Sequence, residues 1–133
     1  MIQKFRAWNK ATKEMHEADD IVSLNFEKKQ ICVKTLFFGQ LNYYDLDDIV
    51  LMQSTGLKDK NGKEIFEGDV VQYQNTKVPS ADSKGVIRYF DNWAMFGIDI
   101  EHNEPRALFF NGLSDHISLD VVGNTYENPE LLE

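Results

Sequence analysis

Apolar and polar residues alternate in short runs along most of this chain, and the runs are separated by turn-forming residues. Val22, Leu24 and Phe26 alternate with Ser23 and Asn25, and the charged Glu27-Lys28-Lys29 follows. Ile31, Val33 and Leu36-Phe37-Phe38 then make a second apolar run, so the pair reads as a hairpin. Upstream, residues 2–8 and 14–17 flank the polar Asn9-Lys10-Ala11-Thr12-Lys13 and predict another. Residues 39–49 are polar and acidic and read as a connection, with Asp45 placed to cap a short helical turn.

The second half carries a clearer pattern. Residues 69–74 predict a strand with Val71 and Tyr73 on one face. Residues 75–84 hold Pro79, Ser80, Asp82 and Ser83 and predict an exposed loop. From Gly85 a strand places Val86, Arg88 and Phe90 on one face and Ile87 and Tyr89 on the other. After a turn at Asp91-Asn92, the residues Ala94, Phe96, Ile98 and Ile100 alternate with Met95, Gly97 and Asp99, the strongest period of two in the chain. Residues 101–105 are a further turn, and 107–110 and 117–122 further strands. Asn128-Pro129-Glu130 has the form of an N-cap followed by proline at the first helical position. Short strands with turns at roughly 8–12-residue spacing predict a mainly β chain with little helix, built as a small barrel or roll. The boundary falls in the acidic connection: residues 1–48 form an N-terminal β-hairpin region and 49–133 the barrel domain. No internal repeat stands out.

Composition sets the class. The chain has 133 residues, 42% hydrophobic and 27% charged, which is ordinary for a globular protein. The net charge of −8 is uneven: −1 over residues 1–49 and −7 over residues 50–133. Phosphate-backbone binding needs clustered positive charge, so nucleic acid is a disfavoured partner. Cys32 is the single cysteine and excludes an intramolecular disulfide. Within Gln30-Ile31-Cys32-Val33-Lys34 it reads as a small buried hydrophobe rather than a nucleophile. With no apolar leader at the N-terminus and no long apolar run, the expectation is a cytoplasmic protein with no membrane segment.

Candidate chemistry is sparse. Asp59-Lys60-Asn61-Gly62-Lys63-Glu64 has some residues of a calcium loop, but the spacing before the glycine is wrong and the closing bidentate glutamate is missing. Asn61-Gly62 instead suits turn positions with positive φ. His16, His102 and His116 form no zinc-type spacing, so no metal is expected. Neither a nucleophile elbow nor a glycine-rich phosphate loop occurs, so no catalytic residue and no cofactor are assigned. The group Asp45, Asp47, Asp48 reads as a solvated linker. Phe90 and Trp93 flank one hairpin turn, Phe109-Phe110 follow, and Arg88 and Arg106 are the basic residues of these strands. An aromatic surface with arginine suits a peptide or stacked bases. Most of these rings are expected in the core, with Trp93 the exception. The binding candidates are therefore Arg88, Phe90, Trp93 and Arg106.

Three segments taken together are more specific. The first is Phe5-Arg6-Ala7-Trp8, followed by Met15. The second is Leu51-Met52-Gln53-Ser54-Thr55-Gly56-Leu57-Lys58-Asp59-Lys60-Asn61-Gly62-Lys63-Glu64-Ile65-Phe66-Glu67-Gly68-Asp69-Val70-Val71. The third is Val121-Val122-Gly123-Asn124-Thr125-Tyr126-Glu127-Asn128-Pro129-Glu130-Leu131-Leu132. In this order they resemble the YopX family of phage and prophage proteins over nearly the whole chain. The resemblance implies an SH3-type barrel in the C-terminal part and a bacterial or phage cytoplasmic setting. The family has no assigned catalytic residue, so none is transferred. The motif residues have fold roles: Gly56 and Gly62 permit turns, Gly123 and Asn124 a bend, and Tyr126 anchors the tail. The expectation is a non-enzymatic accessory protein that binds a protein partner or itself. A nucleic-acid-binding accessory protein is the alternative, and a small metal-dependent hydrolase is the least supported.

Overall fold

The computed structural model describes residues 3–35, 39–100, 107–109 and 116–132. The chain is mainly β and antiparallel, and its helical segments among these residues are single 3-10 turns. It divides into two units, Met1–Gln53 and Ser54–Glu133.

In the first unit, β1 (Phe5–Asn9) pairs with β2 (Glu14–His16) and with the first half of β6 (Ile49–Lys58), Phe5 opposite Gln53 and Asn9 opposite Ile49. A second sheet joins β3 (Ile21–Asn25), β4 (Gln30–Lys34) and β5 (Leu41–Asp45). Ala7 and Ile49 from one sheet and Ile31 and Val33 from the other form the core, with Ile21, Leu24, Tyr44, Leu46 and Leu51 packed against it.

Two details differ from the sequence reading. Val22, Leu24 and Phe26 do not share a buried face: a bulge between Ile21 and Ser23 resets the alternation, turns Ile21 and Leu24 inward, and leaves Val22 and Phe26 exposed. Residues 39–49 are more than a connection, because β5 pairs with all of β4. Asp45 does cap the 3-10 turn Leu46–Asp48, accepting the Asp47 amide at 2.9 Å. That turn has a twin in Ala18–Asp20. Each ends in Asp-Asp and delivers an isoleucine, Ile21 or Ile49, whose amide bonds back to the first residue of the turn and whose side chain meets the core. The shared Asp-Asp-Ile-Val at residues 19–22 and 47–50 was the signal of this small repeat.

In the second unit, the end of β6 pairs with β7 (Glu64–Phe66). A five-stranded sheet runs β11 (Ala107–Phe109), β10 (Met95–Asp99), β9 (Ser83–Phe90), β8 (Asp69–Asn75), β12 (Ile117–Asn124). Ile65, Val71, Tyr73, Ile87, Ile98 and Leu119 form its core. The curled sheets make a half-barrel, consistent with the barrel expected here. Gly56 serves a bulge inside β6 rather than a turn: three residues of β6 face one of β7 between the pairs Ser54–Phe66 and Lys58–Glu64. Of Asn61-Gly62 only the glycine takes a positive φ, +83°. At the C-terminal end the buried Asn124 accepts the amides of Tyr126 and Glu127 at 3.0 and 2.8 Å and forms the expected bend, ahead of the short 3-10 turn Pro129–Leu132.

Three hairpins use one loop geometry. Asn9 opposite Glu14, Asn25 opposite Gln30 and Phe90 opposite Met95 each close a loop of four residues. The fourth loop residue is in each case left-handed without being glycine: Lys13 at 58°, Lys29 at 54° and Ala94 at 50°. Asn9 and Asn25 brace their loops by accepting loop amides through Oδ1.

Candidate functional site

The candidate site is the β9–β10 hairpin. Ile87 and Ile98 pair across it and enter the core; Tyr89 and Phe96 are the next pair on that face, beyond the end of the core. Their rings meet edge to face at 5.1 Å, and Tyr89 is 43% exposed. On the opposite face, Arg88 lies across from Gly97, which leaves room for the guanidinium to reach diagonally to Asp99, where Nε donates to Oδ2 at 3.0 Å. The loop between Phe90 and Met95 is closed by the Trp93 amide donating to the Phe90 carbonyl at 3.1 Å. That bond turns the indole back against Phe90, ring centroids 6.1 Å apart and planes inclined at 62° in an edge-to-face contact, while Trp93 stays 58% exposed.

The hairpin thus brings together Arg88, Phe90 and Trp93, three of the four binding candidates. Arg106 lies outside the described residues, as do Phe110, His102 and the side chain of Phe109. Tyr89 is an addition. Its place on the core-facing side of β9 concealed its exposure, and only the end of the core one pair earlier accounts for it. Buried aromatic rings are supplied instead by Phe66 and Tyr73.

The other chemical candidates are dispersed. His16 stacks on Tyr44 at 5.5 Å, and the His116 carbonyl accepts from Thr76. Among the described residues no group of three or more His, Cys, Asp or Glu side chains is placed to hold a metal ion. Cys32 is buried, as its setting suggested. It faces Tyr43 across β4 and β5, and its hydrogen bond pushes the exposed Tyr43 phenol above the usual tyrosine value.

The segment once compared with a calcium loop is closed by its own backbone. Asp59 is 8% exposed; its Oδ1 accepts the amides of Asn61 and Lys63, both at 2.9 Å, and its Oδ2 accepts the amide of Val121 at 3.0 Å. Burial is the largest single influence and pushes the carboxyl up. The amides of Val121, Lys63 and Asn61 and the charge of Lys63 together outweigh it and hold Asp59 below the usual carboxylate range.

The YopX protein family model matches residues 4–133. This chain belongs to the YopX family. It is similar to protein EF1440 from Enterococcus faecalis, at 35% identity and TM-score 0.67, covering 100% of this chain and 99% of that one. It is also similar to the YopX protein from Bacillus subtilis, at 20% identity and TM-score 0.67, covering 98% of each chain; that likeness is one of fold. No curated protein matches the chain. Neither of these solved structures is named for an activity.

Proposed function

We propose that this YopX-family chain is a non-enzymatic accessory protein of phage or prophage origin that acts in the cytoplasm by binding a protein partner or a second copy of itself through the β9–β10 hairpin. The observation that carries the reading is the exposure of Trp93 and Tyr89 on one hairpin, each ring braced edge to face by a neighbour. Tryptophan, tyrosine and arginine dominate binding energy at protein interfaces because they cover large areas with few rotatable bonds. Arg88, already oriented by Asp99, adds a positioned donor beside them.

The test is affinity capture from prophage-carrying bacteria with the native chain, Trp93→Ala and Tyr89→Ala, together with light scattering for self-association. The expected result is one partner, or a dimer, retained at least tenfold better by the native chain. Equal retention by all three overturns the hairpin as the contact surface. Retention of DNA or RNA that weakens with salt and is lost in Trp93→Ala would replace the protein partner with nucleic acid.

A further inference from the structure

The three sheets have six edges, formed by β2, β7, β11, β12, β3 and β5. An open edge invites another strand, and folds blunt it by shortness, by a bulge or by cover. Among the described residues β2, β7 and β11 are each three residues long. β12 is bulged between Val121 and Gly123, and it is fastened by the Lys60 amide at the Leu119 carbonyl and by Asp59 at the Val121 amide. β3 is bulged between Ile21 and Ser23. β5 has none of these devices. It pairs with β4 without a break in register, holds no lysine or proline, and has no described strand on its other side.

The hydrogen bonds of the hairpin decide which groups that edge presents. The Thr35 amide donates to the Gln40 carbonyl and the Leu46 amide to the Lys29 carbonyl, each at 2.8 Å. Both pairs extend the β4–β5 register, in which Lys34 faces Leu41 and Gln30 faces Asp45. Opposed residues in an antiparallel ladder alternate between bonded and non-bonded pairs. Asn42 and Tyr44 are therefore the residues of β5 bonded to β4, and Leu41, Tyr43 and Asp45 turn their N–H and C=O outward. The side chains of these three share the face of Cys32, away from the core. Leu41 and Tyr43 are exposed, and the hydrogen bond with Cys32 draws the Tyr43 phenol toward β4.

We propose that β5 pairs through this edge with β5 of a second copy, antiparallel about a two-fold axis at Tyr43. Such an interface is isologous, so each residue finds its complement within the same five positions. Tyr43 falls opposite Tyr43 of the second copy and Leu41 opposite Asp45. Every outward N–H and C=O is matched, and no charge directly faces its like. Lys34 has no ion-pair partner among the described residues. In this register it lies two strand spacings, about 10 Å, from Asp45 of the second copy, on the same face with Leu41 between them. The two side chains together cover that span. Asp45 keeps one oxygen for the contact, the other being bonded to the Asp47 amide. Beyond Asp45, the residues Asp47, Asp48, Glu27, Lys28 and Lys29 leave that end of the sheet net negative. Parallel pairing sets two negative ends together, whereas antiparallel pairing sets each against a Lys34 end. Asp19 and Asp20, also at the Lys34 end, stand on the β3 side, away from this edge. The bulge in β3 disfavours the alternative pairing of β5 with β3 of a second copy.

The test follows the full chain by sedimentation equilibrium from micromolar to millimolar concentration, with amide hydrogen exchange at both ends of that range. The expected result is a monomer–dimer equilibrium in which concentration slows exchange at Leu41, Tyr43 and Asp45 at least tenfold more than at Asn42 and Tyr44. Tyr43→Pro removes an outward donor that β4 does not use, and Leu41→Lys adds a charge to the edge. Each should weaken the dimer at least tenfold, and Lys34→Glu should do the same by facing Asp45 with a like charge. Trp93→Ala should dimerise as the native chain does, which separates this edge from the β9–β10 hairpin. A monomer at millimolar concentration, protection that does not alternate along β5, or mass growing past the dimer overturns the proposal. So does a dimer lost in Trp93→Ala and kept in Leu41→Lys. The exchange pattern of the native chain keeps the test decisive if a variant does not fold.

Discussion

Asp59 and Val121 are separated by 62 positions in the chain, and the carboxylate of the first accepts the amide of the second at 3.0 Å. The other oxygen of Asp59 holds the turn that leads into β7. Asp59→Asn cannot reproduce this. In either orientation the amide group presents N–H to a backbone N–H. The expected loss is about 2–3 kcal/mol, the scale of a charged hydrogen bond plus a stranded donor, read as a lower urea midpoint with unchanged slope.

The pH dependence follows from the same carboxylate. Its folded pKa is depressed, so its contribution is fully present above the unfolded value of about 3.9. That contribution is lost as pH falls through the folded value. Urea titrations from pH 6 to pH 2 should show stability falling in acid for the native chain and a flatter acid limb for Asp59→Asn. Parallel curves would remove Asp59 as a source of acid sensitivity.

Gly85 and Gly62 should respond to alanine for different reasons. A Cβ on Gly85 would stand 2.5 Å from Ile98 Cγ2 and 2.7 Å from the Asp99 carbonyl oxygen, and the backbone of β10 cannot yield. The expected cost is about 2–3 kcal/mol, as for overpacking. A Cβ on Gly62 meets nothing within 4 Å, but the φ of +83° costs about 1–2 kcal/mol. Chemical denaturation of both variants separates the two if Gly85→Ala is the more damaging.

The shared loop geometry predicts gains. Ala94→Gly relieves a left-handed alanine, worth about 1–2 kcal/mol, against about 0.5–1 kcal/mol of added chain entropy. The net expectation is a stabilisation of about 0.5 kcal/mol. Lys13→Gly and Lys29→Gly rest on the same angle, and thermal midpoints should rise in all three. A fall in all three would show that the loop geometry is not where strain resides.

The fold was legible where one face of a strand is buried and regular. Ile87, Ile98, Val71 and Tyr73 announced themselves by alternation and meet in one core. Val22 misled because a bulge shifts the alternation by one residue, and nothing local marks a bulge without glycine. β5 was hidden because Leu41, Asn42, Tyr43, Tyr44 and Asp45 are half exposed, so their pattern is polar. For the site, Trp93 was legible from its place beside a turn, whereas the exposure of Tyr89 depends on where the core stops. At Asp59 the local turn is readable from Asp-x-Asn-Gly, but its bond to Val121 is a product of tertiary structure.

Cys32 offers a separate handle. It is the single thiol of the chain and is 3% exposed, inside the β3–β4–β5 sheet of the first unit. A thiol reagent reaches it only when that sheet opens, so its labelling rate reports the opening of the first unit. Fluorescence of a dye placed in the second unit can be followed in the same sample. The chain therefore carries its own means of asking whether its two halves melt together or in turn.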